Sequence, residues 1–496
     1  TSCGSDYLSV SSGGQIEQDG VYSNTTSIRY AVNGLARMMS QQYKDVKWNG
    51  EGSIKTWYGN FLGNDYLRNN YTALAPIVNG NYMQDPTSQY DVYPWYYYYK
   101  LISNANPIIL HTDAASGDLQ DKQLLKAQAL TYRAYSYMML VQFYAKRWSD
   151  SGNGASSGVA LRLDEGKGDL PLSTLADCYK QIYSDLDLAI DLYQKSGKQR
   201  AKGDCYLPSL NAAYAVYARA ALNREDWENA RKYAQLAREG YPLMSNEEYK
   251  DGGFNTANPE WIWSVYSDEQ ESIYYYQFFA SEGSNTNYSS YLNRAAGISK
   301  ELYKQIPASD IRREMFLDPK SDAYTASNNY GGAALKARAF AEYGSKLNAK
   351  TGIFAYMQFK QQAKILPGIG EVHLFRSAEM YLIEAEADCH LNKEGEAQQL
   401  LIALNKDSGR DPEYTCTKTG SELLEEVRLY NRIELWGEGH DWFNLKRWGL
   451  PIERHTAAQG GSFPSQFAIT VQPEDKNGWT WIIPSMETDF NPAIDK

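Results

Sequence analysis

The sequence predicts a mainly α-helical fold in which about four stacked helical pairs support a loop-rich region with a few short strands. Three observations carry this expectation. Apolar residues recur at steps of three and four over long stretches. Two segments share the spacing of small and large residues that lets paired helices pack closely: Tyr214, Tyr217, Ala218 and Ala221 followed by Ala230, Ala234, Ala237 and Pro242, then Tyr381 and Ala385 followed by Ala397, Leu401 and Leu404. This is tetratricopeptide-type spacing, and one such unit cannot bury its apolar face alone, so further pairs are expected beside it. Finally, two long stretches carry many rings and asparagines but no sustained period.

In chain order, a polar tether over 9–20 precedes a first helix predicted at 28–42. From Trp48 to Tyr90 come Trp57, Tyr58, Tyr66, Tyr71, Tyr82 and Tyr90 among Asn60, Asn64, Asp65, Asn69, Asn70 and Asn79, which read as a decorated loop region. Pro94 is suited to a helix start, with Trp95, Tyr98, Ile102, Ala105 and Ile109 on one stripe. A partner helix is predicted over 122–148, with Ala127, Leu130, Ala134, Met138 and Val141 inward. The glycine- and serine-rich segment 149–158 has neither dinucleotide nor P-loop spacing and reads as a linker. A helix from Ser173 carries Tyr179, Ile182, Leu186, Ala189 and Leu192 on its inner stripe.

The second aperiodic stretch, 254–371, contains a strand-like alternation at Trp261, a short helical piece near Ser299–Gln305, and a ring cluster of Tyr274, Tyr275, Tyr276, Phe278, Phe279, Tyr288 and Tyr291 with Asn285, Asn287 and Asn293. The amphipathic segment 421–449, "SELLEEVRLYNRIELWGEGHDWFNLKRWG", opens on a capping box of Thr419 and Glu422 and breaks at Gly437 and Gly439. Glu434, Glu438, Arg432 and Arg447 read as structural ion pairs in a packing hub, the competing reading being a catalytic acid/base pair.

Composition narrows the function. The chain has 496 residues, 41 of them tyrosine, and a net charge of -11; that balance lacks the basic footprint that nucleic acid or anionic membrane requires. No apolar run approaches a membrane span. Cys178, Cys205, Cys389 and Cys416 form no CxxC, and the five histidines include no HExxH, so neither metal nor cofactor is expected. No nucleophile elbow is present. Rings interleaved with short polar groups suit saccharides instead, because sugars offer flat C–H faces to stack and hydroxyl edges to hydrogen-bond.

The run "NRIELWGEGHDWFNLKRWG" resembles the C-terminal signature of the SusD/RagB family of outer-membrane nutrient-binding lipoproteins, and "LISNANPII", "LTYRAY", "RSAEMYLIEAEA" and the closing "GWTWIIPSMETDFNPAI" are similar to other family segments. Asn431 stands where the family usually has glutamate, Asp441 where it often has arginine and Asn444 where it usually has aspartate. The resemblance implies a single SusD-like domain over 1–496, with the helical scaffold mainly at 90–250 and 372–450 and variable ligand-face inserts at 48–90 and 254–371. It implies that the chain is not an enzyme but a cell-surface glycan-binding lipoprotein, delivering nutrient to a SusC-like TonB-dependent transporter. By position, the ligand-binding candidates are Trp57, Asn64, Asp65, Tyr66, Asn69 and Tyr71 in the first insert and Tyr274, Tyr276, Tyr288, Tyr291 and Arg294 in the second. Thr1, Ser2 and Cys3 fit the end of a lipobox, making Cys3 the expected lipidation site and the outward face of the outer membrane the expected location. A peptide ligand on the same scaffold and a helical-barrel glycoside hydrolase are the alternatives, and a purely structural lid on the transporter is a third.

Overall fold

The structure is a computed structural model that describes residues 20–43, 48–71, 74–267, 277–287 and 292–494. Cys3 lies outside them. The chain divides into two compact units. One comprises the described residues up to Met39, then Asn81–Glu239 and those from Glu474 onward; the other comprises Ser40–Gly80 and Gly240–Pro473. The helical scaffold expected at 90–250 and 372–450 is therefore shared between them.

The first unit is helical. Helix α1 (Thr25–Met38) starts where Asn24 accepts a 2.9 Å bond from the Ser27 amide and buries Ile28, Val32, Leu35 and Ala36. Helix α2 (Gln89–His111) is capped by Ser88, ahead of the start that Pro94 suggests, so Pro94 lies inside it. Proline breaks the local hydrogen-bond ladder, and here the repair comes from helix α3 (Leu119–Tyr144): the Tyr144 hydroxyl accepts from the Trp95 amide at 2.9 Å and donates to the Asp91 carbonyl, bridging the rung between them. Every residue of α3 from Ala127 to Tyr144 is buried, a wider contact than the single stripe expected, because the helix is enclosed on all sides. Arg133 ties three elements together: it bonds Asn106 of α2 at 3.0 Å and, through two nitrogens at 2.8 and 2.6 Å, Asp185 of helix α4 (Leu175–Ser196). Helices α5 (Leu210–Asn223) and α6 (Trp227–Arg238) meet through buried alanines, among them Ala218, Ala221, Ala230 and Ala234.

Among the described residues, the second unit mixes helices with short strands: β1 (Tyr66–Arg68), β2 (Trp261–Val265), β3 (Ala296–Ile298), β4 (Tyr324–Thr325), β5 (Tyr330–Gly331), β6 (Val372–Arg376), β7 (Ile452–Glu453) and β8 (Thr470–Val471). They pair as antiparallel couples, β1 with β3, β2 with β6, β4 with β5 and β7 with β8. The β1–β3 couple, with Tyr66 opposite Ile298, joins the first insert to the second. Helix α7 (Ala333–Tyr343) stands within the second insert, where the sequence shows no sustained helical period. Strand β6 runs directly into helix α8 (Ser377–His390), which pairs with α9 (Glu394–Ile402). Helix α10 (Gly420–Glu434) follows, but the expected capping box is absent: Thr419 makes no side-chain cap, and the Gly420 amide donates instead to Glu394 at 3.0 Å. Helix α11 (Asp441–Trp448) completes the hub.

Candidate ligand-binding site

The C-terminal hub concentrates charge in the interior. Arg376, at the end of β6, grips Glu438 through two bonds of 2.7 and 2.8 Å and reaches Glu434 and Glu260 at 2.8 Å each. Arg312 holds the other Glu434 oxygen at 2.8 Å and Asp310 at 2.7 Å, and Lys360 reaches Glu438 at 2.8 Å. The Phe254 ring lies 5.2 Å from the Arg376 guanidinium and 4.7 Å from the Lys360 ammonium. Burial alone would raise the Glu434 carboxyl, yet Arg376, Arg312, Arg410 and Lys360 bring it down to about 2. Glu438 is likewise held low against burial by Arg376 and Lys360. His373 lies 2.6 Å from Glu438 but is not aligned as a hydrogen bond, and burial lowers its pKa to about 4, so the ring is neutral. These carboxylates are sealed and fully paired. They brace the fold and offer no proton to a ligand.

The same hub absorbs the first insert, which corrects the expectation for its rings. Trp57 is 2% and Tyr66 1% exposed. Trp57 packs edge-on to Trp48, and Tyr71 edge-on to Phe467 at 4.7 Å. The Tyr66 hydroxyl donates to buried Glu282 at 2.7 Å, and its ring stacks on Trp436 at 5.6 Å. Asp65 is taken by Arg432 through two bonds of 2.8 and 2.9 Å, and Asn64 spans the Pro451 carbonyl and the Glu453 amide. Each of these groups has a protein partner in place of a ligand. Asn69, by contrast, keeps a buried side-chain nitrogen without a hydrogen-bond partner. The reason for the fit is local close approach. A Cβ on Gly59 would stand 2.1 Å from the Gly439 carbonyl oxygen, so the chain around Trp57 lies directly on the break between α10 and α11.

Two of the departures from the family pattern answer each other. The Asn444 side-chain amide donates to Asn431 at 2.7 Å, pairing two neutral groups at positions where the family usually carries acids. The Asp441 carboxyl accepts from the Asp65 amide at 2.8 Å, and burial, then the Asp65 charge, raise its pKa well above the usual range.

The second insert presents a different surface. Tyr274, Tyr276, Tyr288 and Tyr291 lie outside the described residues, and Arg294, half-buried, follows the last of them. The neighbouring described residues are well fixed. Asn285 exchanges two bonds with the Ala363 backbone at 2.7 and 2.8 Å, and the Thr286 hydroxyl donates to Pro367 at 2.7 Å, fixing this segment on the chain that carries exposed Ile365 and Leu366. On the return, the Leu292 carbonyl accepts from Gly352, whose neighbour Ile353 accepts from Gly331. Tyr330, 51% exposed and packed edge-on to Phe354 at 5.3 Å, therefore stands near the re-entry of the insert. Its hairpin position gives no signal in the sequence beyond one tyrosine among polar residues. Among the described residues no group of three or more histidines, cysteines or acids could hold a metal ion, and no helix is long and apolar enough to cross a membrane.

Paired helices, a sealed charge network and short antiparallel strand couples define the class: a mainly helical scaffold protein. Residues 13–222 match the family described as "Starch-binding associating with outer membrane", of SusD-like type, and residues 178–493 match the SusD family. The chain belongs to the SusD family. It is 23% identical over 442 residues to a SusD-like protein of Formosa agariphila, covering 80% of each chain. Among solved structures it is similar to a SusD-like carbohydrate binding protein from Bacteroides vulgatus, with TM-score 0.76 and 22% identity over 95% of this chain and 97% of that one. It also resembles a SusD superfamily protein from Bacteroides thetaiotaomicron, with TM-score 0.74 and 21% identity over 95% and 99%.

Proposed function

We propose that the chain is a non-catalytic, cell-surface carbohydrate-binding lipoprotein that captures oligosaccharide and passes it to a SusC-like TonB-dependent transporter, anchored on the outward face of the outer membrane through Cys3. Membership of the SusD family supports the class, and likeness to a carbohydrate binding protein of Bacteroides vulgatus supports the ligand. The observation that carries the location of the ligand face is the contrast between inserts. In the first, Trp57, Tyr58, Tyr66 and Tyr71 are sealed, whereas the described part of the second carries exposed Tyr330, Ile365 and Leu366. Tyr274, Tyr276, Tyr288, Tyr291, Arg294 and Tyr330 are the residues assigned to it. Stacking on such rings contributes about 1 kcal/mol each.

The test is a parallel screen of neutral and acidic oligosaccharides against short peptides. Saccharide binding that weakens on Tyr288→Ala or Tyr330→Ala supports the proposal. Binding of peptides alone contradicts it, as does release of reducing ends from any saccharide.

A further inference from the structure

We propose that helix α4 and the turn between α5 and α6 form a separate binding site for an anionic saccharide, built from other residues than the second insert and independent of the function assigned to that insert. A groove of about 450 Å³ runs along α4. Its lining positions Ala176, Tyr179, Lys180, Tyr183, Ser184 and Asp187 are spaced as one continuous helix face, and Arg224 closes the far side.

The groove is held in shape by hydrogen bonds to the acids in and behind its wall. The Tyr183 hydroxyl donates to Asp226 at 2.9 Å, and Asp226 also caps α6 through Asn229. The Tyr217 hydroxyl donates to one oxygen of Asp187 at 3.0 Å, and the Tyr183 and Tyr217 rings lie 4.7 Å apart. Glu225 accepts from the Ser149 hydroxyl. The Arg224 guanidinium sits 3.5 Å over the Trp148 ring, which fixes its plane, and among the described residues neither it nor Lys180 has an acidic partner. Among the residues that line the groove itself, the two cations Lys180 and Arg224 stand with one carboxylate, Asp187.

A planar guanidinium favours a carboxylate or sulfate oxygen pair. Tyr183 offers ring surface, and Ser184 with the free Asp187 oxygen can take hydroxyls. That combination suits a sugar carrying an acidic group. An acidic peptide would use the cations but leave the ring surface and hydroxyl partners idle.

Calorimetry on the full chain tests this with four probes: tri-galacturonate, a sulfated galactose disaccharide, neutral galactose oligomers and a tri-glutamate peptide. One or both anionic sugars should bind, weaken with added salt and lose about tenfold in affinity, about 1.4 kcal/mol, on Arg224→Gln or Lys180→Gln. Binding of galacturonate alone assigns a carboxylate site, of the sulfated sugar alone a sulfate site. Ser184→Trp, which fills the groove without changing charge, should give the same loss at unchanged melting temperature, whereas Tyr288→Ala should give none. No binding, equal binding of the neutral oligomers, binding of the peptide alone, or affinities indifferent to these groove variants would overturn the proposal.

Discussion

Glu438 illustrates how neighbours set the character of one side chain. It takes a bidentate guanidinium from Arg376 and an ammonium from Lys360 with no access to water. Removing its charge leaves two buried cations short of a partner, so Glu438→Gln should destabilise the protein by about 3–5 kcal/mol, read as a lower urea midpoint near neutral pH. Two other carboxyls make opposite pH signatures. The Glu434 pKa is depressed from 4.5 to about 2, so its contribution is complete above the unfolded value and is lost as pH falls from about 4.5 toward 2, on the order of 3 kcal/mol. Glu487, near Trp95 in the other unit, is raised by burial to about 7. Its favourable, protonated state is complete below about pH 4.5 and is lost as pH rises through 7. Glu487→Gln should therefore stabilise at about pH 8, by about 1–3 kcal/mol, and have little effect at about pH 4; a gain of equal size at both pH values would show that burial of the charge is not the cause.

Elements are where sequence and structure agree best, and their exceptions are informative. The helical pairs are legible because alanine and tyrosine recur at helical spacing in α5, α6, α8 and α9. The start of α2 is not, because the rung next to Pro94, from the Trp95 amide to the Asp91 carbonyl, is bridged by Tyr144, 53 residues from that carbonyl. Tyr144→Phe should orphan that carbonyl and the Trp95 amide, costing about 1–3 kcal/mol, with hydrogen exchange rising first around Trp95. The rings of the first insert read as wet because asparagines surround them. Their actual partners are remote: Tyr66 meets Glu282 across 216 residues, and Asp65 meets Arg432 across 367. No local pattern records such pairings. Gly59→Ala tests the close approach that encloses them, since a Cβ there would strike the Gly439 backbone; the protein should melt measurably lower, by about 1–3 kcal/mol or more, whereas Gly34→Ala, with open space around it, should not.

At the scale of the whole molecule, the buried charges of Arg376, Arg312, Glu434 and Glu438 brace one unit of this SusD-family chain, and the ligand face is proposed at the second insert. The two inserts do meet, since β1 and β3 join them, but the first supplies framework while exposed Tyr330, Ile365 and Leu366 belong to the second. The most direct test is the affinity of the best-binding oligosaccharide for the wild-type chain, for Tyr288→Ala/Tyr291→Ala and for Tyr330→Ala. The double variant should bind at least about tenfold more weakly, and Tyr330→Ala measurably more weakly, at a melting temperature close to wild type. Unchanged affinity in all of them, with the proteins folded, would contradict the assignment of the ligand face to the second insert.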